Sequence, residues 1–323
     1  MRRRQFIALV AGAAAAPVAS HAQPAAKMPR LGVLLYSTPQ EDPQARTIPE
    51  GLRELGYVDG RNISIDYRFA EGKAERLPDL AADLVRLKPD VLLPIGGDVA
   101  PFVAKATRTI PIVFVMSADP LQLGLVTTLA RPGGNATGFT FLQDELASKR
   151  LELLKEVAPR ISRVAFLSNP DHPDNELRVA QRAATAIGVH LQQIEMRGPG
   201  DLDGALEAVT KGSLDALYVV ASRQTVASLP RIVDFATKNA LPLVGGWGAW
   251  AQAGGLLSYG PNVGEIVRNA TTYVDRIFKG TKPGDLPVQQ PTRFELLVNL
   301  RSAKALGLSI AEAFLLRADK VIE

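Results

Sequence analysis

No cysteine occurs among the 323 residues, so the chain forms no disulfide and offers no thiolate for catalysis or metal binding. Histidine is nearly as scarce: the three, His21, His172 and His190, stand far apart. With no spaced cluster of His, Asp and Glu, a metal site is not expected. Neither sign of charge dominates, since 37 Lys and Arg face 33 Asp and Glu, and no basic block or nucleic-acid recognition motif is present. Phosphate-loop, dinucleotide-binding and nucleophile-elbow patterns are missing too. No nucleophile is clustered with a base, which argues against an enzyme, and no cofactor is implied. Long apolar runs are also rare. The longest, Phe6 to Ala19, falls short of the roughly 20 residues that a membrane-spanning helix needs.

That run has a different reading. It sits inside "MRRRQFIALVAGAAAAPVASHAQ", where arginines precede an apolar stretch that ends in a small-x-small site at Ser20 and Ala22. This order of parts is that of an export signal, and residues 1–22 are expected to be cleaved. Arg3 and Arg4 followed by Gln5, Phe6 and Ile7 give R-R-x-F-I, the twin-arginine pattern. Removing the three leader arginines lowers the net charge from +4 to +1. The periplasm is the expected destination.

From Arg30 onward, short apolar runs alternate with amphipathic segments. "LGVLLYS", "NISIDYRFA", "DVLLPIGG" and "IPIVFVM" read as strands, with helices ending in "GLRELGY" and spanning "RLPDLAADLVRLKP" and "VAPFVAKATRT". The alternation starts again at "ELASKRLELLKEVAP" and continues through "SRVAFLSNP", "NELRVAQRAATAIG", "VHLQQIEM", "DALYVVAS" and "LPLVGG". Such a pattern implies parallel sheets covered by helices. The α/β fold expected is two doubly wound parallel-sheet lobes joined by hinge strands. The turn-rich "RPGGNATGFT" (131–140) is the expected first crossover and "GGLLSYGPN" (254–262) the second. Residues 28–141 with 260–284 then form one lobe, and 142–259 with 285–323 the other. Hinges are expected near 140–142, 259–262 and 284–286.

Five stretches in this order carry a family resemblance: "GLRELGYVDGRNISIDYR", "SADPLQLGLVTTLARPGGNATG", "KRLELLKEVAP", "AGGLLSYGPN" and "LPVQQPTRFELLVNLRSAKALGLSI" with the closing "RADKVIE". The chain resembles the substrate-binding proteins of ABC transporters with the type I periplasmic-binding fold, in the branch of tryptophan- and tyrosine-type binders. The resemblance implies a monomeric receptor that captures a small molecule, such as an amino acid or small carboxylate, and delivers it to a membrane permease and its ATPase. A lobe pair feeding a signalling partner would share every local feature.

In doubly wound sheets, ligands sit beyond the carboxyl ends of the strands. The N–H groups of Gly97, Asp98 and Val99 open a helix and suit an anion, while Asp98 reads either as helix cap or as a partner for an ammonium. Ser117 is a donor for a carboxylate. Asp119 either pairs with an amino group or caps a helix over "PLQLGLVTTLA". Tyr36 stacks on the ligand or packs beneath the loop, with Ser37 beside it. Thr140 ends the first crossover. From the second lobe come Asn169, Ser222 and Gln224, and the aromatic residues Trp247 and Tyr259 offer ring faces.

Overall fold

The computed structural model describes residues 28–323 apart from 41, 97, 98, 142, 173 and 174. The leader and the pair Gly97 and Asp98 therefore lie outside the described residues.

The first series runs β1 (Arg30–Leu35), α1 (Gln44–Glu54), β2 (Ser64–Phe69), α2 (Leu77–Arg86), β3 (Val91–Pro94), α3 (Ala100–Ala106), β4 (Ile112–Met116) and β5 (Ala136–Thr140). The second runs α4 (Gln143–Val157), β6 (Arg163–Ser168), α5 (Glu176–Ala186), β7 (His190–Glu195), α6 (Leu202–Lys211), β8 (Ala216–Val219), α7 (Arg223–Ala227), α8 (Leu229–Lys238), β9 (Leu243–Gly245), α9 (Gly248–Gln252) and β10 (Leu257–Gly260). The chain closes with α10 (Val263–Phe278), β11 (Glu295–Asn299), α11 (Leu300–Ala305), α12 (Glu312–Leu315) and β12 (Lys320–Ile322).

Strands of the first series form a five-stranded sheet in the order β2-β1-β3-β4-β5, with every pair parallel. The other strands form a seven-stranded sheet, β12-β11-β10-β9-β8-β6-β7, in which only β10 and β11 run antiparallel. Helices cover both faces of each sheet, so the inner strands are buried on both sides. That is why β3, β4 and β8 read as continuous apolar runs rather than as alternations. Two apolar clusters flank each sheet. The helix α10 returns to the first sheet, where Ile266, Val267, Ala270 and Val274 share a core with Val113 and Val115 of β4 and Ile48 of α1.

Two expected crossovers are displaced. The turn formers of 131–140 do not carry the chain between lobes, because Ala136–Thr140 is β5, the edge of the first sheet. Gly138 makes that pairing possible: its φ is +150°, and a Cβ there would stand 2.0 Å from the Phe114 carbonyl oxygen. The third crossover also comes later than 284–286. Leu286 and Val288 are buried with the first sheet's cores, and Gln289 bridges to Phe139, so the chain leaves that sheet only beyond Gln289.

A buried charge organises the second lobe. Arg150 on α4 is fully buried, its Nη1 2.5 Å from Glu176 Oε1 on α5 and 3.2 Å from the Tyr218 hydroxyl on β8. Tyr218 in turn donates to Glu176 Oε1 at 2.6 Å, and Arg150 Nε donates to the Tyr259 carbonyl at 2.7 Å. Burial opposes the charged guanidinium, but Tyr218 and Glu176 outweigh it and raise the Arg150 pKa. Burial, followed by the neighbouring Glu176 charge, pushes the Tyr218 hydroxyl well above its ordinary value, so it stays a donor. Removing one ion of such a pair strands the other in a medium that cannot solvate it, at about 3–5 kcal/mol. Arg150→Met is expected to lose stability of that size in urea unfolding, and adding Glu176→Leu to recover most of it. Equal stability of Arg150→Met and the parent chain would show that the cluster holds nothing in place.

Candidate functional site

Between the two sheets, at the carboxyl ends of β1, β3, β4, β8 and β9, lies a cleft of about 520 Å³. Its volume falls in the range of small-molecule sites. The first series contributes Tyr36, Ser37, Ile95, Gly96 and Ser117, and the second Ala221, Ser222, Val226 and Trp247. Phe141, just past β5, and Pro261 and Asn262, just past β10, add the crossing segments themselves. Strand ends gather these residues because each is followed by a turn into a helix.

The walls are aromatic. Trp247 meets Phe141 edge to face, with ring centroids 5.9 Å apart at 81°. Tyr36 lines the cleft, is buried to 5% exposure, and its hydroxyl donates to the Gly72 carbonyl. Across the opening, Ser117 Oγ of the first series and His172 Nε2 of the second are 2.9 Å apart, and both side chains are buried. This hydrogen bond ties the two lobes together at the cleft.

The polar lining is acidic. Asp42 stands in the turn between β1 and α1, and its Oδ1 accepts from the Gln44 N–H at 3.0 Å. Burial pushes its carboxyl above the ordinary value, against the backbone N–H groups of Gln44 and Ser37 that hold it down. Gln44 Oε1 and Trp247 Nε1, both lining the cleft, are buried without a hydrogen-bond partner.

The whole arrangement matches one known family. Residues 33–322 fit the family described as ABC transporter substrate binding protein. The chain belongs to this family. Its members bind solutes and are not enzymes. A "Tyrosine-binding protein" of Clostridioides difficile is 26% identical over 277 residues, 85% of this chain and 79% of that protein. Among solved structures, a conserved domain protein from Vibrio cholerae is 28% identical with a TM-score of 0.84, over 91% of this chain and 100% of the other. An ABC domain from Streptococcus pneumonia in complex with L-Trp is 25% identical with a TM-score of 0.82, over 91% and 99%. Both show the same two-lobed fold.

Within this substrate-binding fold, the residues expected at the site separate into two groups. Tyr36, Ser37, Ser117, Ser222 and Trp247 line the cleft. Ser222 also caps α7, accepting from the Thr225 N–H at 3.3 Å. Asn169 and Gln224 are buried beside it but spend their amides on one another, Nδ2 to Oε1 at 3.3 Å, and on the Arg197 carbonyl. Thr140 donates to the Ala118 carbonyl at 2.9 Å and lines a smaller pocket of about 320 Å³ at the crossing segments. Tyr259 packs with Phe294 and the α4-side core, because the alternation of β10 turns it from the cleft.

Asp119 is also turned away: its Oδ1 accepts from the Leu121 N–H at 2.8 Å, closing a tight turn. The expected helix over "PLQLGLVTTLA" is a run of turns, with Gly124 at φ +64°. Asp42, Gln44 and Phe141 were missed. The turn after β1 follows the same rule that selects Ser117, and applying the rule to it would have found Asp42. Asp119→Ala is therefore expected to lower stability by about 0.5–1.5 kcal/mol, the worth of one such bond, and to leave ligand affinity unchanged. Thermal melting and calorimetric titration of the variant check both halves.

Proposed function

We propose that the chain is an exported, monomeric receptor that captures an aromatic amino acid between its lobes and hands it to an ABC permease and its ATPase. The observation that carries this reading is the aromatic cleft itself. Tyr36, Phe141 and Trp247 contribute aromatic wall to a space large enough to hold an aromatic amino acid, and polar groups share the lining. The relatives named for tyrosine and solved with L-Trp support the same ligand class. Among the described residues no helix is long and apolar enough to cross a membrane, so delivery needs a separate permease.

Binding is expected to close the lobes about the crossings at Phe141, at Pro261 and Asn262, and beyond Gln289. Calorimetric titration of L-tyrosine and L-tryptophan should give saturable heat, with aliphatic amino acids weaker by about tenfold or more. X-ray scattering at saturation should give a smaller radius of gyration than the ligand-free protein. No heat with either aromatic amino acid would overturn the ligand class, and an unchanged radius would overturn hinge closure.

Export is proposed to use the arginine pair. Replacing Arg3 and Arg4 with lysine should leave uncleaved precursor in the cytoplasm, read by immunoblot of cell fractions. Normal export of that variant would assign the leader to the general secretory route.

A further inference from the structure

We infer that the cleft recognises its ligand chiefly through an ammonium group, held between the Asp42 carboxylate and Gln44 Oε1, with the Trp247 indole N–H taking the ligand's carboxylate. The inference rests on the reading of the cleft as an amino-acid site and adds the direction and chemistry of recognition.

Two independent observations carry it. The first is the pair of orphans. Nearly all buried polar atoms in folded proteins have a partner, so two unpartnered ones on residues that line a single cavity ask for an explanation. Gln44 Oε1 is an acceptor without a donor, and Trp247 Nε1 is a donor without an acceptor. Gln44 as a residue is 9% exposed, so bulk water does not satisfy it. A ligand that completes both brings one donor group and one acceptor group. The two atoms come from opposite lobes, Gln44 opening α1 and Trp247 following β9, so a ligand bridging them joins the lobes.

The second observation is the sign of charge. Among the described lining residues the charged side chains are Asp42 and Glu295, both acidic, and no Lys or Arg lines the cleft. Glu295 is engaged by Asn262, whose Nδ2 lies 3.2 Å from Oε1. Asp42 lies two residues from Gln44 at the start of α1, its Oδ1 accepting from the Gln44 backbone N–H, and brings a negative charge to the same turn of the cleft wall. An ammonium satisfies Gln44 Oε1 and compensates Asp42 together. A carboxylate alone meets no cation among the described lining residues and is repelled by Asp42. The amine is thus the group the ligand cannot lack.

The test is a titration of the purified chain with three kinds of probe built on the same rings. These are L-tyrosine and L-tryptophan, their decarboxylated amines tyramine and tryptamine, and their des-amino acids 3-(4-hydroxyphenyl)propionate and indole-3-propionate. The amino acids should bind tightest and the amines next, with the des-amino acids weaker than the amines by about tenfold to a hundredfold, the worth of a charge-assisted bond. Asp42→Asn should weaken amino acids and amines by a similar factor and leave the des-amino acids unchanged or tighter. Trp247→Phe keeps a ring but removes the N–H, so it should weaken the amino acids and spare the amines. Des-amino acids binding as tightly as the amines would overturn the assignment. Where only the amino acids bind, unchanged affinity in Asp42→Asn would overturn it. Binding of none of the six would overturn the aromatic amino-acid reading along with it. Melting of each variant within a few degrees of the parent assigns a lost affinity to the site and not to the fold.

Discussion

The cleft depends on where the chain passes between lobes, and one buried charge fixes that place. Arg150 reaches from α4 to the Tyr259 carbonyl, one residue before β10 ends at Gly260 and the chain crosses at Pro261 and Asn262. Its other partners, Glu176 on α5 and Tyr218 on β8, anchor the guanidinium to two further elements. The next residue, Gly260, lies so close to the Gly246 carbonyl that a Cβ would stand 1.7 Å from its oxygen. Gly246 leads directly into Trp247. The guanidinium therefore positions β10, β10 positions the turn after β9, and that turn carries the aromatic wall of the cleft. A satisfied polar network in a low-dielectric interior is stiff, because any displacement breaks several strengthened bonds at once.

Stiffness behind the cleft contrasts with unmet demand inside it. Each buried polar atom without a partner costs about 1–3 kcal/mol, and a desolvated carboxylate adds its own penalty. Gln44, Trp247 and Asp42 all line the same cleft, and the first two each carry a buried polar atom without a partner. In the proposed site, a ligand that completes these groups gains the free energy that their isolation costs, so unmet polar demand favours binding. The aromatic rings supply apolar contact but little direction, and the polar atoms supply the orientation.

Alternation of apolar runs and amphipathic helices was enough to read two parallel-sheet lobes, because burial on both faces leaves a mark at every strand. The crossovers were read less well, since a turn-rich stretch such as "RPGGNATG" marks a bend without saying whether the chain changes lobe or rejoins its sheet. Gly138 could be read as a hinge glycine, yet it serves close strand pairing, a distinction made only by Phe114 beside it. At the site, residues one step past a strand were legible and their orientations were not. Trp247 follows β9 and Tyr259 lies within β10, both beside glycines, but only Trp247 lines the cleft. Arg150 gave no sign at all. In sequence it is one charge among many on α4, and only its partners at positions 176, 218 and 259 set it apart.

The contact between Ser117 and His172 bears on the proposed closure of the lobes. A single hydrogen bond contributes about 0.5–1.5 kcal/mol, which changes a two-state population by roughly tenfold at most. That is enough to align the lobes as they meet and too little to hold them shut against the entropy of hinge motion. The ligand must then supply the remaining bias by binding the closed arrangement more tightly than the open one. In the proposed closure it does so through residues of both lobes that line the cleft, Gln44 and Trp247 among them. For the proposed delivery role, coupling of the lobes through the ligand is what lets a receptor close on its cargo and open once the cargo leaves, since the Ser117–His172 bond alone does not hold it shut.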